Sequence, residues 1–297
     1  MSDVSIIGLG PMGFALTELM LKAGLGVTVW NRSPDKAGSL VDRGATLAPT
    51  PAAAVAASAM TLICVLDYDA VDAILVSDGT SAALRDRLII SLGTGSPDDA
   101  RRVEAFVHRS GGRYLDGAIQ AAPSQMGGED TPILMSGRSA DFGEAQPILK
   151  VLAGNIVYLG EEIGAAASMD LSTLSYVYGA FAGFIHGARI AEAAGMNVAT
   201  YGSLVNAISP SFGAFFRHEG EVIASGDFRV TESPLRISIP AVRRILSISE
   251  SLGLNTEVPA LMDGWLQIAA TEGLADQEVA AVIKVLRSER SPGLRTG

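Results

Sequence analysis

Short apolar runs alternate with longer amphipathic or alanine-rich stretches through the first half of the chain. The apolar runs, at residues 4–8, 27–31, 60–66 and 88–92, have the length of buried strands, and the stretches between them have the length of helices. Strands that alternate with helices form parallel sheets with helices on both faces. The pattern therefore predicts an α/β domain with a doubly wound parallel sheet over residues 1–161.

The β signals fade after Gly160, and residues 163–195 form a proline-free run rich in alanine, glycine, serine and aromatic residues. Between Glu162 and Arg189 only Asp170 and His186 interrupt the neutral residues, but the hydroxyl groups of this stretch make it too polar for a membrane span. We therefore expect one long inter-domain helix over residues 163–194, buried by protein. Helical periodicity recurs further on and predicts an all-helical second domain, residues 162–297, with helices at residues 201–208, 237–252, 259–271 and 276–287.

Composition and charge narrow the classes of function. The 297 residues, 48% of them hydrophobic, suffice for two medium-sized cores. The 32 acidic against 22 basic side chains predict repulsion of nucleic acids. The first five residues lack the positive start of a secretory signal, so we expect a cytoplasmic protein. No metal site is expected from one cysteine in an apolar run and three widely spaced histidines: Cys64, His108, His186 and His218.

A glycine motif follows the first predicted strand. Gly8, Gly10 and Gly13 have the spacing G-x-G-x-x-G, with Met12 inside the motif and a helix-like segment directly after it. In dinucleotide-binding domains the first glycine permits a tight turn and the second lets the backbone approach a pyrophosphate. The third lets the helix pack against the strand. A strand, this motif and a helix in succession predict a Rossmann domain.

The second predicted strand ends at Asn31, where NAD-binding domains carry an acidic residue that binds the ribose 2′-hydroxyl. Arg32, Ser33 and the nearby Lys36 can bind a 2′-phosphate instead. The sequence therefore favours NADPH as the cofactor, although an ordinary exposed turn remains the alternative explanation for the two cations. Further cofactor contacts are expected where later strands end, at Leu66 and Thr94.

A candidate catalytic residue, Asp170, lies near the start of the long predicted helix, six residues after Gly164. Together with the glycine motif, this stretch resembles the β-hydroxyacid dehydrogenase superfamily, in which G-x-G-x-x-x-K carries a lysine that protonates the alkoxide. Asp170 occupies the place of that lysine. An ammonium group would repel a cationic iminium, whereas a carboxylate attracts it. An acid that merely stabilises the helix N-terminus is the alternative explanation.

A second stretch resembles the imine reductase family, which is related to the reductive aminases. It reads Tyr-Leu-Asp-Gly-Ala-Ile-Gln-Ala-Ala-Pro over residues 114–123, and in that family D-G-A-I-x-A-x-P replaces a loop that grips a substrate carboxylate. The resemblance covers nearly the whole chain and implies NADPH-dependent hydride transfer to the carbon of an imine. It also implies substrate contacts at Ala121 and Pro123, and an intertwined homodimer whose active sites combine both subunits.

One segment departs from the family pattern. Imine reductases often read N-L-T-x-G-T-P at the strand end that faces the nicotinamide, whereas residues 91–97 read Ser-Leu-Gly-Thr-Gly-Ser-Pro. Ser91 replaces the asparagine, so a donor that assists reductive amination is absent, although Ser91 remains an expected substrate contact. Thr94 and Ser96 can still reach the nicotinamide ribose or carboxamide.

From these residues we expect an imine reductase in which Asp170 donates a proton or stabilises a protonated iminium. Tyr178, two turns further on, can assist it, although core packing explains Tyr178 and Tyr176 equally well. Two other functions stay open. One is a β-hydroxyacid dehydrogenase, although the long helix carries no lysine to serve as its proton donor. The other is a catalytically silent NADPH-binding protein. The length and apolar surface of that helix also require cover from another subunit, which supports a homodimer.

Overall fold

The computed structural model describes residues 2–288 and divides into two compact units. The first unit ends at Ser175 and the second begins at Tyr176, so the division falls inside the longest helix. The first unit contains the sheet, and the second is built from helices.

Eight strands form one sheet in the first unit. In chain order they are β1 (Val4–Ile7), β2 (Val27–Trp30), β3 (Thr46–Leu47), β4 (Met60–Ile63), β5 (Leu88–Ser91), β6 (Arg113–Ile119), β7 (Pro132–Gly137) and β8 (Asn155–Tyr158). Across the sheet they lie in the order β3-β2-β1-β4-β5-β6-β7-β8. Neighbouring strands are parallel everywhere except at β6 and β7. The doubly wound Rossmann sheet is therefore confirmed, but a wholly parallel sheet is wrong at this one pair.

The antiparallel pair follows from the connection between its strands. Residues 120–131 contain only one short 3-10 turn, Pro123–Gln125, whereas a parallel pair needs a longer crossover, usually a helix. The chain therefore turns back beside β6 instead of crossing the sheet. The apolar runs did not predict this part of the sheet, because Arg113 and Asp116 interrupt β6 and a proline begins β7.

Seven helices of the first unit precede the long helix: α1 (Pro11–Lys22), α2 (Gly38–Val41), α3 (Pro51–Ala57), α4 (Tyr68–Leu75), α5 (Thr80–Ala83), α6 (Pro97–Arg109) and α7 (Ser139–Leu152). Alternate strand residues divide between two apolar cores, because successive side chains of a strand point to opposite faces. Ile6 packs with residues of α1 and α7, whereas Ile7 packs with residues of α3, α4 and α6. Both faces of the sheet are thus covered, which explains why β1, β2, β4 and β5 form continuous apolar runs.

The long predicted helix is α8 (Ala165–Ala193), and four more helices follow: α9 (Val198–Ser225), α10 (Leu235–Ser251), α11 (Glu257–Thr271) and α12 (Ile283–Arg287). The predicted end of one helix at residue 208 is wrong, because α9 continues through Pro210. Hydroxyl groups on either side of this proline donate to backbone carbonyls within the helix, from Ser209 to Val205 and from Ser211 to Ile208. Proline has no N–H, so one backbone hydrogen bond of the helix is missing here. The two serine hydroxyls satisfy carbonyl groups close to that position.

The single chain does not bury its long helix by itself. Several large side chains of α8 in the second unit are exposed: Tyr176, Val177, Tyr178, Phe181 and Ile185. The apolar core of that unit lies instead among α9, α10, α11 and the segment 274–285. None of the helices within residues 2–288 is both long and apolar enough to cross a bilayer.

Candidate active site

Close packing shapes the glycine loop between β1 and α1 at Gly8 and Gly13, whereas Gly10 between them is open. Gly8 has φ +100°, and a β-carbon there would overlap the carbonyl oxygen of Cys64. A β-carbon on Gly13 would overlap the carbonyl oxygen of Gly8. At Gly10 a β-carbon would find no other heavy atom within 4 Å. The open space at the second glycine fits a ligand that approaches the backbone at the N-terminus of α1.

This open space belongs to a cavity of about 820 Å³ in the first unit. Trp30, Val65 and Ile119 are among its lining residues, at or just after the carboxyl ends of β2, β4 and β6. In an open α/β sheet, that edge is where ligands bind. The cavity brings together eight of the predicted cofactor residues: Gly8, Gly10, Met12, Gly13, Asn31, Arg32, Leu66 and Thr94.

Asn31 has a structural role that the sequence did not indicate. Its Oδ1 accepts the backbone N–H of Leu9 at 2.9 Å, and its Nδ2 donates to the carbonyl of Ser33 at 3.0 Å. The side chain therefore ties the glycine loop to the turn after β2. Arg32 and Lys36 on that turn are exposed and form no ion pair within the described residues. Their charges are free to meet an anionic ligand.

Asp170 lies in the second turn of α8, within the first unit, and is only 4% exposed. Gln120 donates from Nε2 to Asp170 Oδ1 at 3.3 Å and also to the Thr173 hydroxyl. The second carboxyl oxygen, Oδ2, is buried and has no hydrogen-bond partner among residues 2–288. Burial raises the pKa of Asp170, and the bond from Gln120 opposes that change. One buried oxygen thus retains its full capacity to accept a hydrogen bond or hold a proton.

Two neighbouring strands hold the start of α8 in place. Ser136 on β7 accepts the N–H of Ala166 at 3.1 Å and donates to the carbonyl of Ile163 at 2.7 Å. Beside it, the N–H of Gln120 donates to the carbonyl of Pro132 and extends the pairing of β6 and β7 by one residue. Gln120 directly follows Ile119, which lines the large cavity. The Asp170 site and the cavity are therefore neighbours along the end of β6.

Asp116 is a buried carboxyl whose part in the site the sequence did not reveal. It is 1% exposed, and its Oδ1 accepts hydrogen bonds from the hydroxyls of Tyr68 and, at 3.1 Å, Tyr114. Burial raises the pKa of Asp116 to about 7, the two hydroxyls oppose the change, and the charge of Asp170 adds to it. The sequence signal for this role was an acidic residue within a stretch that is otherwise largely apolar.

The structure does not bring the predicted substrate residues together. Ser91 is fully buried in β5, paired in register with Asp116, and does not line the cavity. Ala121 is half-buried directly after Gln120, whereas Pro123 begins a 3-10 turn that lines a separate cavity with Leu19 and Met126.

Four further predicted positions lie apart from the cavity lining. Ser33 and Lys36 follow Arg32 on the turn after β2 but are not among the lining residues. Tyr178 is 68% exposed, and its hydroxyl makes no hydrogen bond within residues 2–288. Ser96, considered for the nicotinamide, caps α6 through reciprocal bonds with Asp99.

One group of side chains in the second unit has the composition of a metal site. His218, Glu219 and Glu278 have potential ligand atoms within 4.8 Å of one another. The Glu278 carboxylate, however, already accepts the backbone N–H groups of three consecutive residues and the hydroxyl of Thr231. Its oxygens are thereby used to hold the segment that precedes α10.

The sequence matches two family models that divide it near Gly160. Residues 3–160 match the NAD binding domain of 6-phosphogluconate dehydrogenase. Residues 162–288 match the C-terminal domain of the NADPH-dependent reductive aminase-like proteins. The first match contains the glycine loop and the cavity, and the second contains Asp170.

Relatives of known structure or activity align over almost the full length. An NADPH-dependent reductive aminase of Aspergillus oryzae is 30% identical and aligns over 96% of this chain and 97% of its own. An imine reductase from Myxococcus stipitatus in complex with NADP+ is 29% identical, covers 96% of this chain and 100% of its own, and has a TM-score of 0.89.

A reductive aminase from Aspergillus terreus, solved with NADPH and ethyl levulinate, is 32% identical and also has a TM-score of 0.89. It covers 97% of this chain and 100% of its own. The suspected relationship is confirmed: the chain belongs to the oxidoreductase family of imine reductases and NADPH-dependent reductive aminases.

Proposed function

We propose that the protein is an NADPH-dependent imine reductase, which transfers hydride to the carbon of a protonated imine and releases an amine. The observation that carries this proposal is the carboxyl of Asp170, buried and with one oxygen unpartnered within residues 2–288. A buried carboxylate without a counter-ion is stabilised by a cation, and an iminium is such a cation.

NADPH, which supplies the hydride, is the cofactor that the residues around the glycine loop favour. Gly10 leaves room for the pyrophosphate, and Arg32 and Lys36 provide positive charge where an acid would select NAD. The reported relatives support this choice, because the Myxococcus stipitatus enzyme was solved with NADP+ and the Aspergillus terreus enzyme with NADPH. Asn31 keeps the glycine loop and the cationic turn in a fixed relation.

Asp170 acts at the substrate nitrogen. Its unpartnered Oδ2 accepts the N–H of the iminium, while Gln120 holds Oδ1 and fixes the orientation of the carboxyl. Because burial raises the pKa of Asp170, the same group can also deliver the proton that an unprotonated imine needs. The nitrogen ends as an amine, and the carbon has gained the hydride.

A homodimer with shared active sites is part of the proposal. The single chain leaves Tyr176, Phe181 and Ile185 exposed on α8, and large apolar side chains exposed together on one helix are normally covered in the functional assembly. Light scattering at low micromolar concentration tests the mass. Mixed dimers of an Asp170→Ala chain and a chain disabled at Gly10 test the sharing, because only shared sites recover one working site.

Steady oxidation of NADPH with a simple cyclic imine such as a pyrroline tests the activity. We expect turnover that Asp170→Asn abolishes, together with no oxidation of 3-hydroxyisobutyrate. Oxidation of the hydroxyacid would indicate a β-hydroxyacid dehydrogenase. Cofactor binding without turnover on a panel of cyclic and acyclic imines would instead indicate a silent NADPH-binding protein.

A further inference from the structure

Asp116 and Asp170 meet at the first turns of α8. Asp116 is paired across the β6–β7 ladder with Ser136, whose hydroxyl oxygen accepts the N–H of Ala166. The next backbone amide, that of Ala167, faces the Asp116 carboxyl and favours its charged form. Ala167 and Asp170 lie one turn apart on the same buried face of the helix. The two carboxyls therefore approach one short helical segment from the strand side and from the helix itself.

Neither carboxyl has a cationic partner. Within residues 2–288, no arginine, lysine or histidine forms an ion pair with Asp116 or Asp170. Both side chains are buried, so water screens their repulsion poorly. Two like charges in such a place resist simultaneous ionisation and titrate as a pair.

The remaining polar groups around the pair are neutral donors. The hydroxyls of Tyr68 on α4 and Tyr114 on β6 donate to Asp116 and lie 3.2 Å from each other. Gln120 donates to Asp170. These donors stabilise one negative charge on either carboxyl, but they do not supply the positive charge that two would need.

We propose that Asp116 and Asp170 form a coupled pair of buried carboxyls that ionise one after the other, in which Asp116 is a positioning residue that influences the charge of Asp170. When Asp116 holds the proton, Asp170 is the anion that attracts an iminium. When Asp116 ionises, its charge favours the protonated form of Asp170. The coupling stands independently of the reaction, whereas its effect on turnover rests on the proposed imine reduction.

Carboxyl ¹³C NMR of the full chain, without cofactor or substrate, tests the coupling directly. We expect the Asp170 signal of the wild type to titrate in two steps, the second where Asp116 ionises, and to keep only the first step in Asp116→Asn. In Asp170→Asn the midpoint of Asp116 should move to lower pH, because the charge that opposes its ionisation is removed. A single Asp170 step in the wild type together with an unchanged Asp116 midpoint in Asp170→Asn would overturn the proposal.

Two further variants keep the test decisive if Asp116→Asn folds poorly. Tyr68→Phe removes a donor to the charged carboxyl, so the midpoint of Asp116 should move to higher pH. Asp141→Asn is the matched control, because Asp141 is as buried as Asp116 but pairs with Arg113, away from α8. It should leave both steps of the Asp170 signal in place, and loss of the second step in this variant would contradict a specific pair.

The pH profile of kcat separates this inference from the proposed function. The wild-type profile should show a step where Asp116 ionises, and Asp116→Asn should lose this step while KM for NADPH stays constant. A merely structural defect would lower kcat equally at every pH. Coupled midpoints without imine turnover would refute the proposed function and retain the pair, whereas turnover with independent midpoints would refute the pair alone.

Discussion

The glycine loop and the Asp116–Asp170 pair occupy the same unit but are built in different ways. The loop is contiguous in sequence and made of backbone, and its shape is enforced by overlaps that a β-carbon at Gly8 or Gly13 would create. The two carboxyls and their hydrogen-bond donors are side chains that lie far apart in the sequence. Tyr68 and Asp116 are separated by 48 residues, and Gln120 and Asp170 by 50.

The difference shows how each region tolerates change. Backbone geometry at the loop is fixed before any ligand arrives, so substitutions there act first on folding and packing. The carboxyl pair depends on hydrogen bonds and charge in a dry environment, so substitutions there act first on protonation.

Replacement of Asp170 by asparagine should lower kcat by about 10²–10⁴-fold, the usual contribution of a positioned acid–base group. The variant keeps the size of the side chain and loses only its charge and proton. Binding of NADPH, measured by fluorescence titration, should stay unchanged. Tyr178→Phe serves as the comparison and should cost less, because its hydroxyl is exposed. Wild-type turnover in Asp170→Asn would contradict the assigned role.

Gly13→Ala and Gly10→Ala form a matched pair at the loop. The first places a β-carbon on the carbonyl oxygen of Gly8 and should lower the free energy of unfolding by about 3 kcal/mol. The second meets no protein atom within 4 Å, so stability should hold while the affinity for NADPH falls. Thermal unfolding and cofactor titration measure the two effects. Equal melting temperatures in both variants would show that the loop is not packed as described.

Arg32→Ala should raise KM for NADPH about 10–100-fold, the effect of one lost charge-assisted hydrogen bond, and should change KM for NADH little. Initial rates with each cofactor provide the measurement. Lys22→Ala is the control, since it removes a cation that lines a different cavity. Equal use of NADPH and NADH by the unmodified protein would contradict the selection of NADPH by this turn.

The sequence predicted the parts of the fold in which local pattern and structure coincide. The strands β1, β2, β4 and β5 are covered on both faces and therefore appear as continuous apolar runs. Strand β6 was missed because Arg113 and Asp116 interrupt it, and α9 was ended too early at Pro210, where serine hydroxyls satisfy nearby carbonyls. Tertiary packing overrode the local signal in each case.

The residues of the site also divide into those that a local sequence pattern predicts and those that it does not. The glycine motif and Arg32 lie at fixed spacing along the chain, so the sequence alone placed them, and they line one cavity. The bonds from Gln120 to Asp170 and from Tyr68 to Asp116 join residues without any characteristic spacing. Such pairs exist only after the sheet has formed, and no local pattern predicts them.

The pH dependence of stability tests the protonation of Asp116 without any cofactor or substrate. Because the pKa of Asp116 is about 7 in the folded protein against 3.8 for an unperturbed carboxyl, the folded state binds more protons than the unfolded state between these values. Stability must therefore fall as the pH rises from about 4 to about 7, and should level off above that range. This pKa already includes the opposing effect of the two tyrosine hydroxyls, and each pKa unit between the folded and unfolded values contributes about 1.4 kcal/mol to the fall. Asp116→Asn has no proton to lose, so the free energy of unfolding of the wild type minus that of the variant should decline over this interval. Urea unfolding at a series of pH values measures the difference. A constant difference would show that Asp116 is ionised throughout, and the contrast between a backbone-built loop and a protonation-controlled pair would then be lost.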